Sequence, residues 1–252
     1  MKSGAEERRS SRVQVCWGGA RHRLENNPGL APTYRERQNR HMDGSQPDPF
    51  EASAPLRAAD WAARYAEGDT PWDKGAAHPE LERRIQLGEL TPTGAGRALV
   101  PGCGRGHDAA ALARAGWRVT ALDAVDALLP DNREQIESAG GRVVIADALT
   151  FGEGQPAAFE LIFEHTFLCA IHPSERPQWA ALVARSLVPG GRLTHVVFPA
   201  DKPSEQGGPP HGTHPDQVRA LLGEAFAEQL LEPAERRARD TWEELWGIFR
   251  KP

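Results

Sequence analysis

A short apolar run, Arg97-Ala98-Leu99-Val100-Pro101, leads directly into Gly102-Cys103-Gly104-Arg105-Gly106, and an alanine-rich helical stretch at 109–115 follows at once. A strand joined to a helix through a glycine loop constrains the fold more than any other feature of this chain. Such a loop turns sharply and lets its backbone approach a ligand that a Cβ would keep away. The unit then recurs. Segments 118–123, 142–147, 159–164 and 192–198 read as further strands, with helices over 124–139 and 174–187 between them. Gly140-Gly141 suits a helix C-terminus, and Pro189-Gly190-Gly191 turns the later helix into its strand. A short helix near 215–223 and strands at 226–231 and 247–250 follow, while 56–67 and 78–87 read as two helices ahead of the first strand. This alternation predicts an α/β fold, a Rossmann-like three-layer sandwich with a mainly parallel sheet covered on both faces.

The chain has 252 residues, enough for one α/β domain with extensions. No apolar run approaches the ~20 residues of a membrane span, so no membrane partner is expected. Three cysteines, Cys16, Cys103 and Cys169, are odd in number and lack paired spacing. That excludes a disulfide framework or zinc cluster as the organising device and points to a reducing, cytoplasmic setting. The net charge of −5 argues against a nucleic-acid partner, and a monomer acting on a small molecule is the expectation. Residues 1–41 carry nine basic and four acidic residues, a net of +5 against −10 for the rest. Two readings of residues 1–41 stay open: a disordered arm or an over-extended start, or an Arg-rich targeting or anion-binding tail; with the linker after it, residues 1–55 are expected as a disordered basic arm and linker. Residues 56–252 then form the domain, with 56–90 as an N-terminal lid.

Ligands of open α/β sheets bind outside the carboxyl ends of the strands, near the point where strand order reverses. Here those ends carry the glycine loop, Asp123, Asp147 and Glu164-His165, and all four are expected on one edge. Asp123 can accept hydrogen bonds from both ribose hydroxyls. Asp147 can accept from an adenine amine, and the backbone around Ala148 can hold a ring nitrogen. A nicotinamide-dependent oxidoreductase would use Asp123 in the same way. Its fingerprint is G-x-G-x-x-G, however, and the third glycine here comes one residue early. Strand-end acids with the G-x-G-x-G spacing favour a methyl donor. Asp108 reads as a charge at a helix N-terminus, Trp179 as core, and Cys103 as a small packed side chain.

Several motifs in one order carry a resemblance to a known family. They are Trp61 and Tyr65, Thr70-Pro71-Trp72-Asp73, Leu99 through Asp108, residues 159–171, Arg176-Pro177-Gln178-Trp179-Ala180 and Gly207-Gly208-Pro209-Pro210. From about Trp61 to its end the chain resembles the thiopurine S-methyltransferase superfamily, most closely its halide/thiol methyltransferase branch. The resemblance implies a class I methyltransferase fold, a seven-stranded sheet with its last strand antiparallel, and S-adenosylmethionine as cofactor. It places cofactor contacts on Trp61, Tyr65, Trp72, Gly102, Gly104, Asp123, Asp147, Ala148 and His165. Trp61 and Trp72 would be a lid over the cofactor, attracting its cation through their rings; composition alone reads them as anchors of a surface helix. The acceptor it implies is a small soft nucleophile such as a thiol, bisulfide, halide or thiopurine-like sulfur. Two positions depart from the pattern. Tyr65 stands where a second tryptophan is common, and Glu164-His165 replaces the usual Asp-Tyr. His165, with a pKa near neutrality, is the candidate catalytic side chain for taking a thiol proton. The altered pair also leaves a non-catalytic nucleoside-binding relative as an alternative.

Overall fold

The structure is a computed structural model, and it describes residues 54–92, 94–235, 237 and 241–252. The chain divides into two units, Met1–Gln46 and Pro47–Pro252, and everything below concerns the second. The expected basic arm falls, up to residue 53, outside the described residues.

Seven strands form one sheet: β1 (Arg97–Pro101), β2 (Arg118–Asp123), β3 (Arg142–Ile145), β4 (Phe159–His165), β5 (Leu187–Val197), β6 (Ala227–Pro233) and β7 (Leu245–Arg250). Their spatial order is β3-β2-β1-β4-β5-β7-β6. Strands β1 to β5 pair in parallel, whereas β7 runs antiparallel to both neighbours. This is the seven-stranded class I methyltransferase sheet that the resemblance implied. The helices are α1 (Ala58–Glu67), α2 (Pro79–Gln86), α3 (His107–Arg114), α4 (Pro130–Ser138), α5 (Arg176–Ser186) and α6 (Pro215–Leu222).

The strand period of two divides the core. On β1, Leu99 joins Ile162, Leu193, Trp179 and Leu182 on one face of the sheet. Its neighbours Ala98 and Val100 join Leu112, Trp117, Phe163 and Trp246 on the other. A central strand buried on both faces reads as an unbroken apolar run, as 97–101 did. Trp179 is fully buried, as read from the sequence. Strand order reverses between β1 and β4, and the loops above that point hold the site.

Local chemistry overrides the expected boundaries in three places. The helix expected over 124–139 begins only at Pro130. Proline suits the first helical position but disfavours helix in the residue before it, and Leu129 is extended (φ −68°, ψ 141°). The third strand stops at Ile145, so Asp147 sits on the loop beyond it. In β5 the Pro189-Gly190-Gly191 segment is a bulge rather than a lead-in turn: Leu187 pairs with Phe159, and the register jumps so that Arg192 pairs with Leu161. The bulge also meets the C-terminus, with Gly190 N–H donating to Lys251 O at 3.0 Å.

Candidate active site

The loop after β1 is built for close approach. Gly102 (φ +61°) and Gly104 (φ +53°) both adopt the left-handed conformation. A Cβ at Gly102 would meet the Phe167 ring at 2.6 Å, and one at Gly104 would meet the Tyr65 hydroxyl at 3.0 Å. At Gly102 any other residue would clash as well as strain the backbone, while at Gly104 the strain comes with a close approach to Tyr65.

Asp123 ends β2 beside this loop. Its Oδ2 accepts from Gly104 N–H at 2.8 Å and its Oδ1 from Val125 N–H at 3.0 Å. A carboxylate has about four acceptor sites, so capacity for a ligand's hydroxyls remains. Burial raises the Asp123 pKa, and the backbone N–H groups work against that rise. Past β3, exposed Asp147 accepts from Leu149 N–H at 2.9 Å, and Ala148 beside it is buried.

At the end of β4, alternation sends neighbouring side chains to opposite faces. Glu164 therefore does not join the site, contrary to the expectation that all four strand ends converge. It is fully buried; its Oε1 accepts from the N–H groups of Phe167 (2.7 Å) and Leu168 (3.0 Å), and Oε2 lies 2.5 Å from His195 Nε2. These bonds hold the turn containing Thr166 (φ +65°), an uncommon backbone state for a β-branched residue.

His165 does line the site, and it is paired. Its Nδ1 is 2.8 Å from Asp108 Oδ2, while Asp108 Oδ1 accepts from His78 N–H at 2.7 Å. The His78 ring stands edge-on to His165, centroids 4.8 Å apart, with its Nε2 3.0 Å from Glu244 Oε2. Burial opposes charge on His165, but Asp108 outweighs it, and the ring's pKa rises. His78 moves the other way because burial dominates its contact with Glu244. Asp108 stays below the usual carboxylate range: burial pushes it up, and His165 more than offsets this. Sequence reading missed this group. Asp108 was legible only as a helix-terminus charge, and nothing local marked His78 or Glu244.

Residues ahead of β1 line the cavity with aromatic rings. Trp61 and Tyr65 on α1 both pack edge-to-face on Trp72, at 5.5 and 5.7 Å between centroids. The Arg64 guanidinium stacks on Trp72 at 4.4 Å and on Trp61 at 5.5 Å, and Arg105 lies over Tyr65 at 5.2 Å. Neither tryptophan is in the core, since both are only partly buried. Asp73 ties this segment to the glycine loop and the start of α3, 3.6 Å from Arg105 Nε and 3.2 Å from His107 Nε2. Burial pushes the Tyr65 hydroxyl up to about 12. Burial, with Asp123 adding to it, also raises the Cys103 thiol, which makes it a packed side chain and no thiolate.

Together these elements enclose a cavity of about 490 Å³, within the range of small-molecule sites. Its wall includes Trp61, Tyr65, Trp72, Gly102, Gly104, Asp123, Asp147, Ala148 and His165, with Asp108 and Glu244 beside them. The sequence pattern of the thiopurine S-methyltransferase family matches residues 56–251.

The chain belongs to the thiopurine S-methyltransferase family.

It is thus a methyltransferase that uses S-adenosylmethionine. Within and around this family it is 36% identical over 164 residues to probable thiol methyltransferase 2 of Arabidopsis thaliana, covering 64% of this chain and 70% of that protein. It is 28% identical over 206 residues to thiopurine S-methyltransferase of Azotobacter vinelandii, covering 76% and 91%. The chain spans about two thirds of the length of the plant relatives it matches. Among solved structures, 1,6-didemethyltoxoflavin-N1-methyltransferase of Burkholderia thailandensis, with bound S-adenosylhomocysteine, superposes with a TM-score of 0.63 at 23% identity, covering 79% of this chain and 92% of that one. That likeness shows the fold. The site fits the family's cofactor on its own geometry: the cradle has no room for a Cβ at Gly102, and Asp123 is fixed by Gly104 with acceptor capacity left over.

Proposed function

We propose that this family member transfers a methyl group to the sulfur of a small thiol or hydrosulfide. The observation that carries the reading is the division of one cavity wall between the Gly104–Asp123 corner and the Asp108–His165 pair. The first suits a nucleoside, and the second puts an ionisable ring where an acceptor would lie. The relative named as a thiol methyltransferase supports sulfur as the acceptor atom.

In this reading the backbone at Gly102 and Gly104 approaches the cofactor, Asp123 accepts from its ribose hydroxyls, and Asp147 with Ala148 meets its adenine. When bound, S-adenosylmethionine supplies a methyl carbon already made electrophilic by its sulfonium. What remains for the chain is alignment and exclusion of water, and positioning alone is worth roughly 7–11 kcal/mol. Residues 56–90 act as the lid. Arg64 already stacks on Trp61 and Trp72, so the rings serve first as a dry cover. His165 faces the acceptor.

Among the described residues no helix is long and apolar enough to cross a membrane, and Cys103 and Cys169 are free. The free thiols suit a reducing, cytoplasmic setting, and the reading keeps a monomer acting on a small molecule. Headspace gas analysis after incubation with S-adenosylmethionine and hydrosulfide, a small thiol, thiocyanate or iodide tests the reading. Methylated sulfur products are expected. Methyl iodide as the sole product would overturn sulfur as the acceptor.

A further inference from the structure

Two imidazoles stand edge to face 4.8 Å apart, His165 lining the cavity and His78 buried beside it, and three carboxylates surround them. Their hydrogen bonds sort them. His78 Nδ1 accepts from Glu80 N–H at 3.2 Å, so its proton sits on Nε2 and points to Glu244. A second proton would break the Glu80 bond and charge a side chain that is 1% exposed. His78 is fixed as neutral. Asp108, ionised and acceptor-only, receives His78 N–H on one oxygen and His165 Nδ1 on the other. The His165 proton therefore sits on Nδ1. In the neutral ring Nε2, with no hydrogen bond to another of the described residues, carries the lone pair, and the ring lines the cavity.

We propose that Asp108 is a positioning residue that makes His165 the group taking the proton from a thiol acceptor, with His78 as its neutral neighbour. The proposal rests on the thiol reading above. It follows the general design in which a base is oriented through its far nitrogen by a carboxylate. In the step, the acceptor S–H proton moves to His165 Nε2 while the sulfur forms its bond to the methyl carbon. The bond from that carbon to the sulfonium sulfur breaks, and its electron pair stays on the departing sulfur. The imidazolium left behind lies against Asp108, with Glu244 and Glu164 adding attraction. It returns its proton to water. Neighbouring titratable groups pushed in opposite directions are a mark of such acid–base assignments, and His78 and His165 are pushed in opposite directions.

The experiment uses the full chain, its Asp108→Asn and Asp108→Glu variants, and two acceptors: 2-mercaptoethanol, and thiocyanate, which has no proton to lose. Asp108→Asn is expected to lower kcat/KM for the thiol by about 100-fold near neutral pH. Part of this loss should be regained as pH rises toward the thiol's own pKa, which for a simple alkyl thiol lies above the roughly 8.5 of a cysteine side chain. The loss with thiocyanate should be at least tenfold smaller, and Asp108→Glu should restore part of the thiol rate. Equal losses with both acceptors would overturn the proposal. Nitrogen-15 NMR of the histidine rings supplies a readout without turnover. His165 should titrate above about 6.5 with its neutral proton on Nδ1, and Asp108→Asn should lower that pKa. No thiol turnover by the unaltered chain would overturn the thiol reading itself. A His165 ring that titrates alike in both proteins would overturn this proposal alone.

Discussion

The Gly104 N–H donates to Asp123 Oδ2 at 2.8 Å, so the turn after β1 and the end of β2 are locked together before any ligand arrives. A carboxylate fixed in this way loses little freedom when it meets a ribose. Asp123→Ala removes both the ligand contact and the acceptor for two backbone N–H groups. Binding of S-adenosylhomocysteine, followed by calorimetry, should weaken at least tenfold, about 1.4 kcal/mol. An unchanged affinity would remove the ribose assignment.

Gly102 is the position where the cradle tolerates least. An added Cβ would lie 2.6 Å from Phe167 and carry a φ of +61°. Gly140 has a similar φ of +75° with nothing within 4 Å of its Cβ position. Left-handed strain alone costs about 1–2 kcal/mol, and forced overpacking adds roughly 1–3. Thermal denaturation should therefore rank Gly102→Ala clearly below Gly140→Ala. Similar midpoints would mean that Phe167 yields easily and that the cradle is not tight.

The part of the site that was legible in the sequence is the part written in consecutive residues. Gly102, Gly104, Asp123 and Asp147 each follow a strand, and the strand itself announces where its end will point. The Asp108–His165–His78–Glu244 group joins four segments far apart in the chain, and each member has an ordinary local explanation. Asp108 at a helix start satisfies a rule that needs no partner. Glu164 failed for a different reason: a strand's last two residues face opposite ways, and only the pairing with His195 decides which is inside. The short form of α4 was written in Leu129-Pro130, which local rules explain once the proline is read as a first helical residue.

Glu80 offers a test in acid. It is 1% exposed and accepts from Arg83 Nε at 2.9 Å, Arg84 Nε at 2.6 Å and Glu235 N–H at 3.1 Å. Burial raises its pKa, but these partners win and hold it at about 2, below the ordinary 4.5. A depressed folded-state pKa stabilises above the unfolded value and is lost as pH falls through the folded one. Glu80→Gln should cost about 3 kcal/mol near neutrality, as when one partner of a buried pair is removed. In urea titrations that gap should narrow as pH drops from 4.5 toward 2. A gap constant across this range would mean that Glu80 is not ionised in the fold.

Glu164 and His165 are chain neighbours with opposite duties, and paired variants separate them. Glu164→Gln leaves His195 without its carboxylate in a site that is fully buried and loosens the acceptor for Phe167 and Leu168 N–H. Its cost should appear as stability, about 3 kcal/mol in denaturant unfolding. His165→Gln keeps a donor for Asp108 on a side chain that is partly exposed to the cavity, so unfolding should shift by no more than about 1 kcal/mol. Its cost should appear in turnover instead, about 100-fold with a thiol acceptor near neutral pH. The two effects arise from one strand's alternation, with the even residue set into the core and the odd one into the cavity. If His165→Gln unfolds as readily as Glu164→Gln while thiol turnover survives, His165 is a packing residue and the acceptor meets another side chain.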